Sequence, residues 1–248
     1  MLPEKYTIPK ERIPKAWSQG VYNCCVAASI AKVLEVINYL KTGKYVMFSK
    51  GYVYGKHSRP DKTQGGMDYS YAMDMLLKYG TVPEDMYPEM DEVPTIIDKV
   101  NGRSELDKEA EKTKIKSYTR IKGDIHFYDN VKKCLYENQI PLVGNMVGKR
   151  HCTVIVGWDG DKLLYHDHKG TDDLIRGKFN EAYYLDGDIK GGKTMPFTDI
   201  HKDDWFYEAV KYVYEEGIMS GTGENTFEPN KALTRAEVAT LIYRLLNK

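Results

Sequence analysis

The sequence predicts an α+β domain followed by a small helical module, and three observations carry that prediction. Apolar residues recur at helical spacing in the front half, from Cys25 to Leu40 and again from Tyr69 to Tyr79. From Ile115 onward the pattern changes to short strand-like runs bounded by turn residues. A glycine-rich stretch over 186–196 then separates a C-terminal segment with two amphipathic stripes of its own. Helices first and antiparallel strands after make an α+β arrangement rather than an alternating one. The expected division is a main domain over 1–190, a linker over 191–196 and a module over 197–248.

Composition narrows the function classes. The chain has 248 residues, 42% hydrophobic and 29% charged, which is globular rather than disordered. Lys+Arg and Asp+Glu both number 36, so the net charge is zero and no nucleic-acid partner is expected. No apolar run approaches the roughly 18–20 residues of a membrane span. The start, Met1-Leu2-Pro3-Glu4-Lys5, lacks the basic and apolar regions of a secretory signal, so any export signal is expected to be removed or absent. The cysteines at 24, 25, 134 and 152 fit neither a disulfide framework nor a zinc-finger spacing, and are read as free thiols.

The elements follow in order. Val26, Ile30, Val33, Leu34, Ile37 and Leu40 define a long buried helix, with Asn23 as its N-cap and Thr42-Gly43 as its end. The segment 51–66 reads as a Gly- and Tyr-rich loop. Ala72, Met73, Leu76 and Leu77 share one face of a second helix, stopped by Gly80. The charged stretch 104–116 reads as a solvated helix or connector. Strand-like runs at 115–121, 140–147, 151–158, 162–167 and 181–185 surround a short helix at 128–138, with Asp159-Gly160 as a hairpin turn.

Chemistry concentrates around Cys25. A thiol at a helix N-terminus meets exposed N–H groups and the positive end of the macrodipole, which favour the thiolate. A Gln19 amide brought near the helix start supplies one oxyanion donor, and the Cys25 backbone N–H a second. His151 opens one strand and Asp167 ends the next, the pattern of a base and the carboxylate that orients it.

These residues resemble the papain family of cysteine peptidases. Gln19-Gly20-Val-Tyr-Asn-Cys24-Cys25-Val-Ala27-Ala-Ser29 is similar to the signature around its nucleophile, and His151-Cys-Thr-Val-Ile-Val-Gly157-Trp158 to its histidine strand. Gln64-Gly65-Gly66 resembles the glycine pair along its substrate cleft. The resemblance covers roughly 3–190 and implies a two-lobe papain-like fold, helical on one side and β on the other. It implies that Cys25 attacks, His151 moves the proton, Asp167 orients His151, and Gln19 forms the oxyanion hole. It also implies that Gly65 and Gly66 pair with an extended peptide or protein substrate, with no cofactor. Tyr22 and Thr63 stand where the family has a disulfide pair, Asp167 where it usually has Asn, and its shielding Trp is absent, with Lys169 nearby. An acyltransferase or amidase on wall peptides, or a non-catalytic wall-binding protein, would use the same framework.

The Gln19 spacing favours Cys25 over Cys24, and consecutive helix residues point about 100° apart, so only one faces the cleft. Cys152 lies on the strand face opposite His151 and is read, like Cys134, as core packing. His166 and His168 share a strand face, but no third ligand has suitable spacing, so no metal site is assigned. His57, His126 and His201 are read as surface residues. One geometric condition follows. A strict two-residue Asp159-Gly160 loop throws Asp167 to the face away from His151, so the triad requires an odd-length loop or a bulge.

In the C-terminal module, Phe197-Thr-Asp-Ile200, Trp205, Ala209-Val210, Gly217-Ile-Met-Ser-Gly221, Phe227, Pro229 and Thr234-Arg-Ala-Glu237 resemble one S-layer homology repeat. That resemblance implies anchoring to an anionic secondary cell-wall polymer at a bacterial surface, through Trp205 and Arg235. A capping box accounts for Thr234 and Glu237, and core packing would account for Trp205, whereas Arg235 has no structural reason. Such repeats usually come in threes, so a single one implies a homo-oligomer, such as a trimer, or a vestigial anchor.

Overall fold

Helix α1 (Cys25–Thr42) is buried on nearly every face from Val26 to Ile37, as an all-round apolar helix must be. It belongs to a computed structural model that describes residues 2–167, 170–187, 197–201, 203–215, 217–223 and 225–246. The linker expected at 191–196, and His168 and Lys169, lie outside those residues. The chain divides into two compact units, Met1–Ile189 and Lys190–Lys248.

Among the described residues of the first unit, the α-helices after α1 are α2 (Lys50–Lys56), α3 (Tyr69–Tyr79), α4 (Thr95–Asn101), α5 (Ser104–Ala110) and α6 (Phe127–Asn138). The strands are β1 (Lys5–Thr7), β2 (Ser117–Lys122), β3 (Leu142–Met146), β4 (Cys152–Asp159), β5 (Lys162–His166), β6 (Leu174–Gly177) and β7 (Phe179–Asp186). They form one antiparallel sheet in the order β2-β7-β3-β4-β5-β6, with β1 added beside β4. Helix α1 packs against α2 on one side and against β3 and β4 on the other, so the helical and β halves share one core.

Several expectations are corrected. The segment 51–66 is not all loop, because α2 occupies its start. Ser49 caps α2 by accepting from the Tyr52 N–H at 2.9 Å, and Tyr52, Val53 and Tyr54 are fully buried. The glycine that made this segment look like loop serves close packing instead: a Cβ on Gly51 would lie 2.0 Å from the Glu89 carbonyl oxygen. Asn23 is not the N-cap of α1. Cys24 holds that position, without a side-chain cap. His57 is fully buried at the end of α2, and desolvation pulls its imidazole down to about 3, so it is a neutral core residue. His126 and His201 are exposed, as expected.

The β4–β5 hairpin turns at Gly160-Asp161 rather than Asp159-Gly160, since Asp159 pairs with Lys162. Gly160 takes φ +57°, as the first position of a primed hairpin turn requires. Further along, Gly157 pairs with Leu164 but Ile155 pairs with Tyr165, which leaves Val156 as an extra residue in β4. This is a β-bulge.

The second unit has its own small core of Phe197, Ile200, Val210 and Phe227. The Asp199 carboxylate accepts from the backbone N–H groups of Phe227 at 2.9 Å and Glu228 at 2.7 Å, closing the loop ahead of its second helix. Its helices are α7 (Tyr207–Glu215) and α8 (Arg235–Leu246). The capping box is formed: the Thr234 N–H donates to Glu237 Oε2 at 2.7 Å and the Glu237 N–H to Thr234 Oγ1 at 3.2 Å. Along α8 the apolar stripe stays open, with Val238, Ile242 and Leu245 respectively 41%, 52% and 53% exposed. No helix among the described residues is long and apolar enough to cross a membrane.

Candidate active site

Cys25 is the first residue of α1, so its backbone N–H is one of the helix donors without an intrahelical partner. It lines a cavity of about 820 Å³ together with Gln19, Gly65, Gly66, Tyr69 and His151. Cys24 does not line this cavity. It is buried, its thiol lies 3.7 Å from the Gln19 carbonyl oxygen, and desolvation pushes it up to about 12, which keeps it a neutral thiol. Cys152 is also fully buried, and Cys134 packs against the core. All four cysteines are free.

His151 immediately precedes β4, and Asp167 immediately follows β5. His151 Nε2 lies 2.8 Å from Asp167 Oδ1, and its ring lines the cavity beside Cys25. The neighbouring Cys25 is the strongest influence raising the pKa of His151. Burial opposes it, and the Asp167 hydrogen bond adds to it. Asp167 is 6% exposed, so its carboxylate acts with little screening by water.

The Val156 bulge explains why these residues meet. Val154 pairs with His166, so Asp167 falls opposite Thr153, on the face that Thr153 shares with His151. Carried through without the extra residue, the Asp159–Lys162 register would set Asp167 opposite Val154, facing away. Thr153 Oγ1 also donates to the His166 carbonyl at 2.6 Å and holds the strand ends together there.

Gln19 lines the cavity beside Cys25, and its Nε2 donates to the Tyr22 carbonyl at 2.9 Å. A primary amide has two N–H donors, so one remains for a ligand. Gly65 lies against Asn23, where a Cβ would come 2.9 Å from Asn23 Nδ2. The Gly66 N–H is donated to the Tyr54 hydroxyl at 3.2 Å. Sequence inspection missed a polar wall of the same cavity. The Tyr69 hydroxyl donates to Asn145 Oδ1 at 3.0 Å, and Asn145 Nδ2 to Asn180 Oδ1 at 3.1 Å. The available signal was an amide inside the otherwise apolar run 140–147.

No His, Cys, Asp or Glu cluster among the described residues is arranged to hold a metal ion. His166 is buried, with Nε2 3.7 Å from the Asp172 carboxylate, and His168 lies outside the described residues.

In the second unit, core packing as a reason for Trp205 is overturned. The indole is 93% exposed and meets Phe206 edge-on, with ring centroids 5.4 Å apart. Arg235 is exposed at the start of α8 and forms no hydrogen bond or ion pair with the described residues. A cavity of about 560 Å³ beside α8, lined by Met219, Phe227, Lys231 and Arg244 among others, includes neither residue.

Comparison with known proteins matches residues 196–239 to the S-layer homology domain. The S-layer protein sap of Bacillus anthracis is 43% identical over 56 residues, which are 23% of this chain and 7% of that protein. A cellulosome-anchoring protein of Acetivibrio thermocellus is 40% identical over 55 residues, 22% of this chain and 12% of that protein. The chain therefore spans a small fraction of the curated relatives it matches. Among solved structures, xylellain, a cysteine protease from Xylella fastidiosa, aligns with TM-score 0.60 and 19% identity, covering 75% of this chain and 87% of that one. The Carica candamarcensis cysteine protease CMS1MS2 aligns with TM-score 0.52 and 14% identity, covering 75% and 99%. The first unit thus has the papain-like fold, an α+β fold as anticipated, and the second carries an S-layer homology domain.

The geometry predicts the titration of His151. Cys25→Ala should lower its imidazole pKa, and Asp167→Ala should lower it by less, because Cys25 is the larger influence. NMR titration of the ring in the two variants checks both the direction and the order.

Proposed function

We propose that the first unit is a cysteine peptidase and that the second holds it at a bacterial cell surface. The observation that carries the first part is that Cys25 and His151 line one cavity while Asp167 Oδ1 lies 2.8 Å from His151 Nε2. In this role His151 takes the thiol proton and Asp167 stabilises the resulting imidazolium. The Cys25 sulfur attacks the carbonyl carbon of a peptide bond lying in the cavity. The oxyanion that forms accepts from the Cys25 backbone N–H and the remaining Gln19 N–H. Collapse expels the amine, which takes its proton from His151, and leaves a thioester on Cys25. His151 then removes a proton from water, water attacks the thioester, and the carboxylic acid leaves as the Cys25 thiol is restored. Gly65 and Gly66 line the cavity where an extended chain would pair by its backbone.

The matched S-layer homology domain supports the surface location. Arg235 offers a planar, uncommitted guanidinium suited to carboxylate groups of an anionic wall polymer, with Trp205 as an exposed apolar neighbour in the same unit. The open stripe of Val238, Ile242 and Leu245 suits burial between copies of the chain, and several copies together raise avidity by about 10²–10⁴.

Hydrolysis of fluorogenic peptides tests the enzymatic part. Cys25→Ala should lose at least about 10³-fold in rate, while Cys24→Ala keeps most of it. The reverse pattern would assign the wrong thiol. Release of the acyl group only to amine acceptors, never to water, would indicate a transferase. Pull-down with purified cell-wall sacculi, beside light scattering for mass, tests the anchor. Arg235→Ala should bind less well, Arg235→Lys should fall between it and wild type, and wild type should be oligomeric. A monomer that binds equally well after Arg235→Ala would refute this part.

A further inference from the structure

Lys32 lies inside the apolar stretch of α1 and has no exposed surface. A lysine is almost never fully buried without partners, because desolvating the ammonium is costly. Its Nζ donates to the Asp167 backbone carbonyl at 3.2 Å and lies 3.5 Å from His166 Nδ1. Burial first and the neighbouring ammonium second hold the His166 ring below its ordinary pKa, so the neutral ring presents an acceptor to Lys32. The Lys32 ammonium also sits over the Trp17 ring, 5.0 Å from its centroid. One turn further along α1, the buried Glu35 carboxylate accepts from Trp17 Nε1 at 3.2 Å, the Tyr45 hydroxyl at 2.9 Å and the Phe48 N–H at 3.1 Å. These three bonds fix the helix segment from which Lys32 projects.

Lys32 and Cys25 stand on the same helix, two turns or about 10 Å apart along its axis. The nucleophile's helix therefore reaches across the core and grips the strand end that carries Asp167. We propose that Lys32 is a positioning residue for the Cys25–His151–Asp167 site: it fixes Asp167 relative to α1, and through Asp167 it fixes the imidazole relative to the Cys25 thiol. The role rests on the peptidase reading of the site. Burial pulls the Lys32 ammonium down to about 8 while Glu35 and Asp167 oppose the fall, so it stays largely charged at neutral pH.

A generic packing role and a positioning role differ in how Lys32 couples to Asp167. The test is a double-mutant cycle on the full chain with Lys32→Met and Asp167→Ala. The first readout is alkylation of Cys25 by iodoacetamide at about pH 6, where an ordinary thiol is almost unreactive, located by peptide mass mapping. The second is kcat and KM for a fluorogenic peptide. Lys32→Met should slow alkylation and lower kcat by about tenfold, with KM unchanged. On the Asp167→Ala background it should change neither further. Equal losses on both backgrounds would mean general loosening and would overturn the positioning role. If Lys32→Met does not fold, Lys32→Met/Glu35→Gln, which removes both buried ionisable groups together, carries the same cycle. A wild-type Cys25 no more reactive than a free thiol would overturn the peptidase reading and the positioning role together. A reactive wild type with additive losses would overturn the positioning role alone.

Discussion

The candidate site depends on one extra residue in a strand. Val156 shifts the β4–β5 register by one, and that shift brings Asp167 to the face of His151. Because side chains alternate along a strand, no smaller adjustment achieves this. The bulge is held from its other edge. The Ile8 N–H donates to the Val156 carbonyl at 2.9 Å, and β1 runs so close to Gly157 that a Cβ there would lie 2.2 Å from the Tyr6 carbonyl oxygen. A three-residue strand near the N-terminus thus braces the distortion on which the His–Asp pair rests.

The second constraint is the division of labour between adjacent thiols. Cys24 and Cys25 have the same chemistry and nearly the same sequence context. Burial separates them: Cys24 sits in the core, held high as a neutral thiol, while Cys25 opens into the cavity beside His151. Cys24 is the N-cap and Cys25 the first helical residue of α1, and of the two only Cys25 lines the cavity. The thiol that faces away contributes packing, and the one that faces the cavity meets the helix N-terminus and a base.

Much of this was legible in the sequence, and what was not has physical reasons. Helices α1, α3 and α6 and strands β3, β4, β5 and β7 announce themselves by periodicity, because each buries one face or all faces against the shared core. The order of Gln19, Cys25, Gly65-Gly66, His151 and Asp167 marked the residues that line or support one cavity. The parity of the hairpin states that a bulge or odd loop is required but does not place it, and the β1 contacts beside it come from a distant part of the chain. Helix α2 is hidden in the sequence because glycine suggests a loop, whereas Gly51 lets the Glu89 backbone approach. Lys32 and Glu35 stood in plain view as charges inside an apolar helix. Their partners, Asp167, Trp17, Tyr45 and Phe48, come from segments whose proximity only the fold creates.

The proposed peptidase activity requires Cys25 to be an activated thiol in a cavity that takes an extended peptide. Labelling with a peptidyl chloromethyl ketone, followed by intact mass and peptide mapping, measures this most directly. One adduct on Cys25, lost in Cys25→Ala and sharply slowed in Asp167→Ala, is the predicted result. An adduct on Cys24, or no adduct under conditions where a simple thiol reagent modifies Cys25, would contradict it.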